Sequence, residues 1–221
     1  MTFPPFQAVI FDMDGVLLDT ESVMQRVEPG AARLFNVEMT QEILHQLTGK
    51  SEKDVDVILR TAFGLDFPLA DYRREFWRLV EETIEKEGLA LKPGVLEMLD
   101  WCDHADLPMA VATSTLHQKA ERQLRDVGIR KRFSIVVGGD QVKQGKPAPD
   151  IFLETARELE VAPTACLALE DSHNGVRSAC AAGMVTVMIP DQLPPTPEMR
   201  ELAHAIVPSL HELRILLTKE N

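Results

Sequence analysis

The sequence is poor in cysteine. Its 221 residues include only three, Cys102, Cys166 and Cys180, and no two of them are close together. An odd number of widely separated cysteines argues against a disulfide framework and against a structural zinc site. This usage is typical of the reducing cytoplasm, which is the location we expect.

Long apolar runs and positive charge are also scarce. No run approaches the about 20 residues that a helix needs to cross a bilayer, and residues 1–5 lack the features of a signal peptide. The chain has 23 Lys and Arg against 35 Asp and Glu, a formal net charge of -12. We therefore expect neither a nucleic acid nor a membrane as partner, and any phosphate site must be built from local donors.

What the sequence has instead is a series of short, continuous apolar runs, each typical of a buried strand. Helical patterns alternate with these runs. Such alternation predicts an α/β fold with a Rossmann-like, doubly wound and mostly parallel sheet. The runs are residues 8–11, 109–112, 135–137, 167–169 and 185–189, with a weaker one at 205–207.

A helical stretch interrupts this alternation. Residues 20–89 show several helical patterns and no convincing strand, and the α/β pattern resumes near Pro93 and Gly94. We therefore predict a catalytic α/β core of residues 1–19 and 90–221, with an all-helical cap domain of residues 20–89 inserted after the first strand. The proline-rich segment 190–197 is interpreted as a surface loop.

Polar residues follow four of the predicted strands, at the carboxyl ends where open α/β sheets bind ligands. Carboxylates crowded there would repel one another and raise each other's pKa unless a cation were present, and Mg²⁺ suits such oxygen ligands. The predicted ligands are Asp12, the backbone carbonyl of Asp14, Asp171, and Glu170 directly or through water. The full set of strand-end residues is Asp12, Asp14, Thr113, Ser114, Lys146, Glu170 and Asp171.

A phosphate group can lie beside Asp12 in this arrangement, held by Lys146, the Thr113 hydroxyl and backbone N–H groups of the turns. Each residue alone has a plainer explanation. An Asp at a strand end often caps a turn, a lone lysine is usually solvated, and Glu170 with Asp171 can cap the following helix. Their joint occurrence at successive strand ends is what favours a phosphate site.

Four segments of the chain resemble, in order, the four motifs of the haloacid dehalogenase-like hydrolases. They are FDMDGVLLDTE at 11–21, VATS at 111–114, GKPAPDIF at 145–152 and LEDSHNG at 169–175. Together they cover the α/β part of the chain, and the first and fourth are long and specific. The chain is most similar to the branch with a small helical cap, which includes β-phosphoglucomutase, phosphoglycolate phosphatase and many sugar-phosphate phosphatases.

The resemblance implies a magnesium-dependent phosphatase that hydrolyses a small phosphorylated metabolite, a sugar or polyol monophosphate. It implies that Asp12 is the nucleophile, which forms an aspartyl-phosphate, and that Asp14 is the general acid/base. Lys146 and Thr113 would orient the phosphoryl group, and the cap would close over the site. Further phosphate or substrate contacts are expected from Gly15, Gly49, Lys50, Ser114 and Thr115.

Lys50 is equally well explained as an exposed loop lysine. The expected partner is a small-molecule phosphate ester, and its identity stays open among pyrophosphate, phosphoglycolate, hexose phosphates and nucleoside monophosphates. Because the cap itself encloses the site in similar proteins, no partner chain is required, and a monomer or weak homodimer is expected.

A phosphomutase resembling β-phosphoglucomutase is the alternative function. Such mutases carry a His near the hinge where this chain has Met24, and an Arg in the cap loop where it has Glu52. Both differences remove groups that a mutase would use, so the phosphatase is favoured. Asp14 disfavours carbon–halogen and carbon–phosphorus cleavage, since members with those activities lack it. A non-enzymatic phospho-acceptor module is disfavoured too, because receiver domains are shorter and have neither the insertion nor this Asp.

Overall fold

A computed structural model describes residues 2–47 and 52–218, apart from the side chains of Glu52 and Lys53. The chain forms two compact units, Met1–Asp19 with Ala90–Asn221, and Thr20–Leu89. None of the helices in the described ranges is long and apolar enough to span a membrane.

The first unit is built on a six-stranded sheet with the strand order β3-β2-β1-β4-β5-β6. Every neighbouring pair of strands is parallel. This confirms the predicted α/β fold with a doubly wound parallel sheet. The strands are β1 (Ala8–Phe11), β2 (Met109–Ala112), β3 (Ile135–Val137), β4 (Cys166–Glu170), β5 (Val185–Met188) and β6 (Ala205–Ile206).

Helices occur in both units. The second unit contains α1 (Thr20–Leu34), α2 (Gln41–Leu47), α3 (Glu52–Phe63) and α4 (Leu69–Glu87). Helices α5 to α10 belong to the first unit and connect or follow its strands. They are α5 (Val95–His104), α6 (His117–Asp126), α7 (Asp150–Glu158), α8 (His173–Ala181), α9 (Pro197–Leu202) and α10 (Leu210–Thr218).

The register of the three central strands determines which residues meet at the carboxyl edge of the sheet. Phe11 of β1 pairs with Val111 of β2 on one side and with Leu169 of β4 on the other. All residues of these strands are buried, which removes apolar surface from water and explains their continuous apolar sequence. The residues that follow Phe11, Val111 and Leu169 therefore emerge side by side.

The helical unit has its own apolar core. Helix α1 packs against α4, and an ion pair of 2.8 Å between Arg26 and Glu87 also joins them. Met24, which stands where the mutases carry a His, is partly buried against this core. Within its described residues the unit has helices and no strand. Its buried residues are Val23, Val27, Ala31, Ala32, Met39, Leu59, Phe67, Leu69, Tyr72, Phe76 and Val80.

Candidate active site

Asp12 follows β1 directly and lies at the centre of the site. Its backbone N–H donates to the carbonyl of Leu169 at 2.9 Å, which continues the β1–β4 ladder by one residue. The chain then turns sharply, because both Leu17 and Leu18 donate to the carbonyl of Met13 at 2.9 Å. The Asp12 residue is only 6% exposed. The position after the strand thus holds a carboxylate largely out of water.

Lys146 joins the carboxylates that end β1 and β4. Its Nζ lies 2.5 Å from Oδ1 of Asp12 and 2.5 Å from Oε1 of Glu170. It also donates to the carbonyl of Ala112 at 3.1 Å, and it lies 5.2 Å from the centroid of the Phe152 ring. Contacts with two carboxylates, a carbonyl and an aromatic face hold this ammonium in one place.

Glu170 is completely buried, and both of its carboxylate oxygens accept hydrogen bonds. Its Oε2 accepts from the backbone N–H of Asp171 at 3.1 Å and from the N–H and hydroxyl of Ser172 at 3.2 and 3.1 Å. The Ser172 hydroxyl in turn accepts from Gly175 and caps α8. A Cβ on Gly175 would lie 1.8 Å from Oε1 of Glu170, so only glycine fits against this carboxylate.

The turn after β2 contacts Asp14. The Thr115 hydroxyl donates to Oδ2 of Asp14 at 2.8 Å, and the Thr113 hydroxyl donates to the same oxygen at 3.4 Å. The backbone N–H of Thr115 donates to the Thr113 hydroxyl at 3.0 Å, which ties the turn together. Ser114 is exposed between them. The predicted Thr113, Ser114 and Thr115 therefore lie in the turn that holds Asp14.

The carboxylates form a group that suits a divalent cation. Asp12, Glu170 and Asp171 each offer one oxygen, and these oxygens all lie within 4.8 Å of one another. Gly15 packs tightly against the group, since a Cβ there would lie 2.4 Å from Oδ2 of Asp171. Hard oxygen ligands of this kind fit Mg²⁺, so the residues present are compatible with the predicted ion.

The electrostatics of the group favour a cation as well. Burial raises the pKa of Asp12 to about 8, and the charges of Glu170 and Asp14 add to the rise while Lys146 opposes it. Burial and the charges of Glu170 and Asp12 raise the pKa of Asp171. Burial alone would lower the pKa of Lys146, but the attraction of Asp12 and Glu170 raises it. A bound divalent cation would favour the ionised carboxylates.

The structure brings most of the predicted site residues together, whereas others lie outside the residues that it describes. Asp12, Asp14, Gly15, Thr113, Thr115, Lys146, Glu170 and Asp171 all take part in the contacts above. Gly49 and Lys50, expected to contact substrate, lie outside the described residues, and so does the side chain of Glu52.

The structure adds Asp191 and Lys92, which were not among the predicted site residues. Asp191 follows β5, and its charge raises the pKa of the neighbouring Asp171. Lys92 Nζ lies 2.7 Å from Oδ1 of Asp191. The rule that ligands bind at the carboxyl ends of the strands also applies to Asp191, because Asp191 comes soon after the apolar run at 185–189. The proline-rich sequence around Asp191 indicated only a surface loop.

Comparisons with known proteins point to one family. A family model described as haloacid dehalogenase-like hydrolase matches residues 9–189. Phosphorylated carbohydrates phosphatase from Thermotoga maritima is 36% identical over 180 residues, covering 80% of this chain and 82% of that protein. Fructose-1-phosphate phosphatase YqaB from Escherichia coli is 31% identical over 182 residues, covering 82% of this chain and 95% of that protein.

A solved structure from Thermotoga maritima, provisionally named a beta-phosphoglucomutase, has the same fold. It superimposes with a TM-score of 0.82 at 31% identity, and the match covers 97% of this chain and 99% of that chain. Both a phosphatase and a mutase are therefore represented among the similar proteins.

Proposed function

Because this chain belongs to the haloacid dehalogenase-like hydrolases, we propose that it is a magnesium-dependent phosphatase of sugar or polyol monophosphates, acting through an aspartyl-phosphate on Asp12. The contact of Lys146 with both Asp12 and Glu170, each at 2.5 Å, supports this function most directly. It places a fixed positive charge beside the proposed nucleophile, where a phosphate group needs neutralisation. The phosphatase names of similar proteins support the substrate class.

In the first step an oxygen of Asp12 attacks phosphorus, and the bond from phosphorus to the ester oxygen breaks. Asp14 donates a proton to the departing oxygen, so that the product is a neutral alcohol. Lys146 and the Thr113 hydroxyl hold the phosphoryl oxygens. The Thr115 hydroxyl orients the Asp14 carboxyl through its 2.8 Å contact.

In the second step water attacks the phosphorus of the aspartyl-phosphate. Asp14, which is now ionised, takes a proton from this water, and the bond from phosphorus to the Asp12 oxygen breaks. Inorganic phosphate leaves, and both side chains return to their starting states. Asp12, Asp171 and the carbonyl of Asp14 would hold Mg²⁺, with Glu170 beside them. When bound, the ion neutralises the negative charge of the carboxylates and the phosphoryl group.

A phosphomutase is the second candidate, because one similar solved structure is provisionally named as such. Both functions share the first step. They differ in whether water or a sugar hydroxyl accepts the phosphoryl group. Met24 packs against the apolar core of the helical unit and offers no polar group for a second phosphate, so the phosphatase is favoured.

Release of inorganic phosphate from a panel of sugar and polyol monophosphates tests the proposal. With Mg²⁺ the parent should release phosphate, whereas an added chelator or the substitution Asp12→Asn should abolish release. Product that forms only after a sugar bisphosphate is added, without net phosphate release, would identify a mutase. Substantial turnover by the Asp12→Asn variant would contradict the covalent mechanism.

A further inference from the structure

Asp191 lies at the carboxyl end of β5, next to the end of β4 that carries Asp171. Met188 of β5 is in register with Glu170 of β4, and the N–H of Ile189 donates to the Glu170 carbonyl at 2.7 Å. The segments that follow β4 and β5 therefore leave the sheet side by side. Asp171 and Asp191 thus follow shortly after two neighbouring segments whose backbones are paired.

The two carboxylate oxygens of Asp191 have different surroundings. Oδ1 accepts from Lys92 at 2.7 Å and from Gln192 at 3.3 Å. Oδ2 is buried and has no hydrogen-bond partner within the described part of the chain. The side chain is only 9% exposed. Because a buried oxygen without a partner costs free energy, a hydrogen-bond donor is expected at this place.

The origin of that donor follows from the neighbouring carboxylates. Among the described residues, the group whose oxygens lie within 4.8 Å of one another is Asp12, Glu170 and Asp171, and it does not include Asp191. Asp191 is thus poorly placed to ligate the same ion directly. The pairing of β5 with β4 nevertheless brings it close to the end of β4 that carries Asp171. Mg²⁺ usually keeps several water molecules when bound to protein carboxylates, and these are strong donors.

Lys92 restrains Asp191 through the other carboxylate oxygen, Oδ1. Besides its contact with Asp191, the Lys92 Nζ lies 3.9 Å from Oδ1 of Asp19. The backbone of Lys92 is also fixed, since its N–H donates to the Leu17 carbonyl at 2.9 Å. With Oδ1 held in this way, the rotation that would bring Oδ2 to solvent is opposed.

We propose that Asp191 is a positioning residue of the magnesium site, whose Oδ2 accepts a hydrogen bond from water in the hydration shell of the ion. Lys92 orients Asp191 through Oδ1. This role rests on the proposed function, because it requires the ion between Asp12 and Asp171. Some residues hydrogen-bond to the groups that bind a metal directly. Mutation of such residues commonly lowers the affinity for the metal by about 10- to 100-fold.

The test is a titration of the full chain with MgCl₂ in the absence of substrate. The unfolding temperature is measured at each MgCl₂ concentration. An ion that binds only the folded state raises this temperature, and the midpoint of the rise reports affinity. For Asp191→Asn we expect a midpoint about 10- to 100-fold higher than that of the parent. Asp191→Ser, expected to behave alike, serves if the Asn variant does not fold.

Glu121→Gln is the matched control. Glu121 lies in the same unit, its side chain is 15% exposed, and it forms a 2.8 Å ion pair with Arg130. Its loss should lower the unfolding temperature without moving the MgCl₂ midpoint. The same pattern in the Asp191 variants would overturn the proposed role and leave Asp191 as the partner of Lys92 only. A parent without any response to MgCl₂ would overturn the metal site itself, and this role with it.

Discussion

The Thr115 hydroxyl donates to Oδ2 of Asp14 at 2.8 Å, a shorter contact than the 3.4 Å from the Thr113 hydroxyl to the same oxygen. The sequence predicted a phosphate or substrate contact for Thr115. That contact stays a prediction, and the structure adds a contact between Thr115 and the proposed general acid/base. With Oδ2 held by two hydroxyls, Asp14 is restrained in its orientation before substrate binds.

Replacing Thr115 by Val keeps the shape of the side chain and removes the donor. Without this contact the Asp14 carboxyl is less firmly oriented toward the reacting atoms, so kcat for phosphate release should fall about 10- to 100-fold with little change in KM. Thr115→Ser restores the hydroxyl and should recover most of the activity. A raised KM with unchanged kcat would instead mean that Thr115 contacts the substrate.

Replacing Lys146 by Met should destabilise the chain strongly in the absence of magnesium. The change leaves Asp12 and Glu170 buried without their common partner, and breaking a buried ion pair costs about 3–5 kcal/mol. The loss should grow as the pH rises, because Lys146 lowers the pKa of Asp12 against the effect of burial. Denaturant unfolding of the parent and the variant at acidic and alkaline pH measures this loss of stability.

Lys92→Met is the matched control for the Lys146 variant. It also removes an ion pair with an Asp, but the Lys92 side chain is 21% exposed, against 7% for Lys146. We expect a smaller loss of stability, since Lys92→Met leaves Asp191 at 9% and Asp19 at 28% exposure, whereas Lys146→Met leaves Asp12 at 9% and Glu170 at 0%. Equal losses of stability in the two variants would contradict the view that burial makes the Asp12–Lys146–Glu170 group more sensitive to the loss of its lysine.

Gly15→Ala should damage the proposed metal site beyond its effect on the backbone. Gly15 has a φ of +84°, which is unfavourable for alanine, and the added Cβ would lie 2.4 Å from Oδ2 of Asp171. Gly128→Ala separates the two effects, because Gly128 has a φ of +80° and nothing within 4 Å of its Cβ position. Both variants should lose about 1 kcal/mol or more of stability from backbone strain.

In the same pair of variants, Gly15→Ala alone should raise the MgCl₂ concentration needed for thermal stabilisation. The reason is that Asp171 must move to admit the new methyl group. A titration of both variants alongside the parent measures this. If the magnesium response were unchanged in Gly15→Ala, Asp171 would not be a ligand of the ion.

Glu28 and Tyr72 make the stability of the helical unit depend on pH. The Tyr72 hydroxyl donates to Oε1 of Glu28 at 2.5 Å. Burial raises the pKa of Glu28 above its ordinary value of 4.5, although the Tyr72 hydrogen bond opposes the rise. A carboxyl with a raised folded pKa contributes its full stability below its unfolded pKa. This contribution is lost as the pH rises through the folded pKa.

Glu28→Gln keeps an oxygen acceptor for Tyr72 and has no proton to lose. Relative to the parent, the helical unit of the variant should gain stability as the pH rises above 4.5, by about 1.4 kcal/mol for each unit of pKa shift. Hydrogen exchange of the α1 and α4 amides in the full chain measures it. Glu42→Gln, at an exposed position of α2, should show no such trend, and an identical trend there would contradict the assignment.

The sequence by itself determined the α/β class and the positions of the strands. Runs such as 8–11 and 109–112 are apolar throughout because both faces of the central strands are covered, and they coincide with β1 and β2. The carboxyl-end rule then brought Asp12, Thr113 and Glu170 to one edge, since parallel strands end together. The motif resemblance selected the family from these same residues.

Only the tertiary structure decided which side chains contact which. Thr115 and Asp14 stand 101 positions apart, and Lys146 is 134 positions from Asp12. Their distances depend on strand register and on side-chain rotamers, which no local pattern encodes. Asp191 shows the same limit, because a proline-rich segment suggests solvent exposure. The pairing of β5 with β4 and the reach of Lys92 bury it beside Asp171, and these are long-range packing effects.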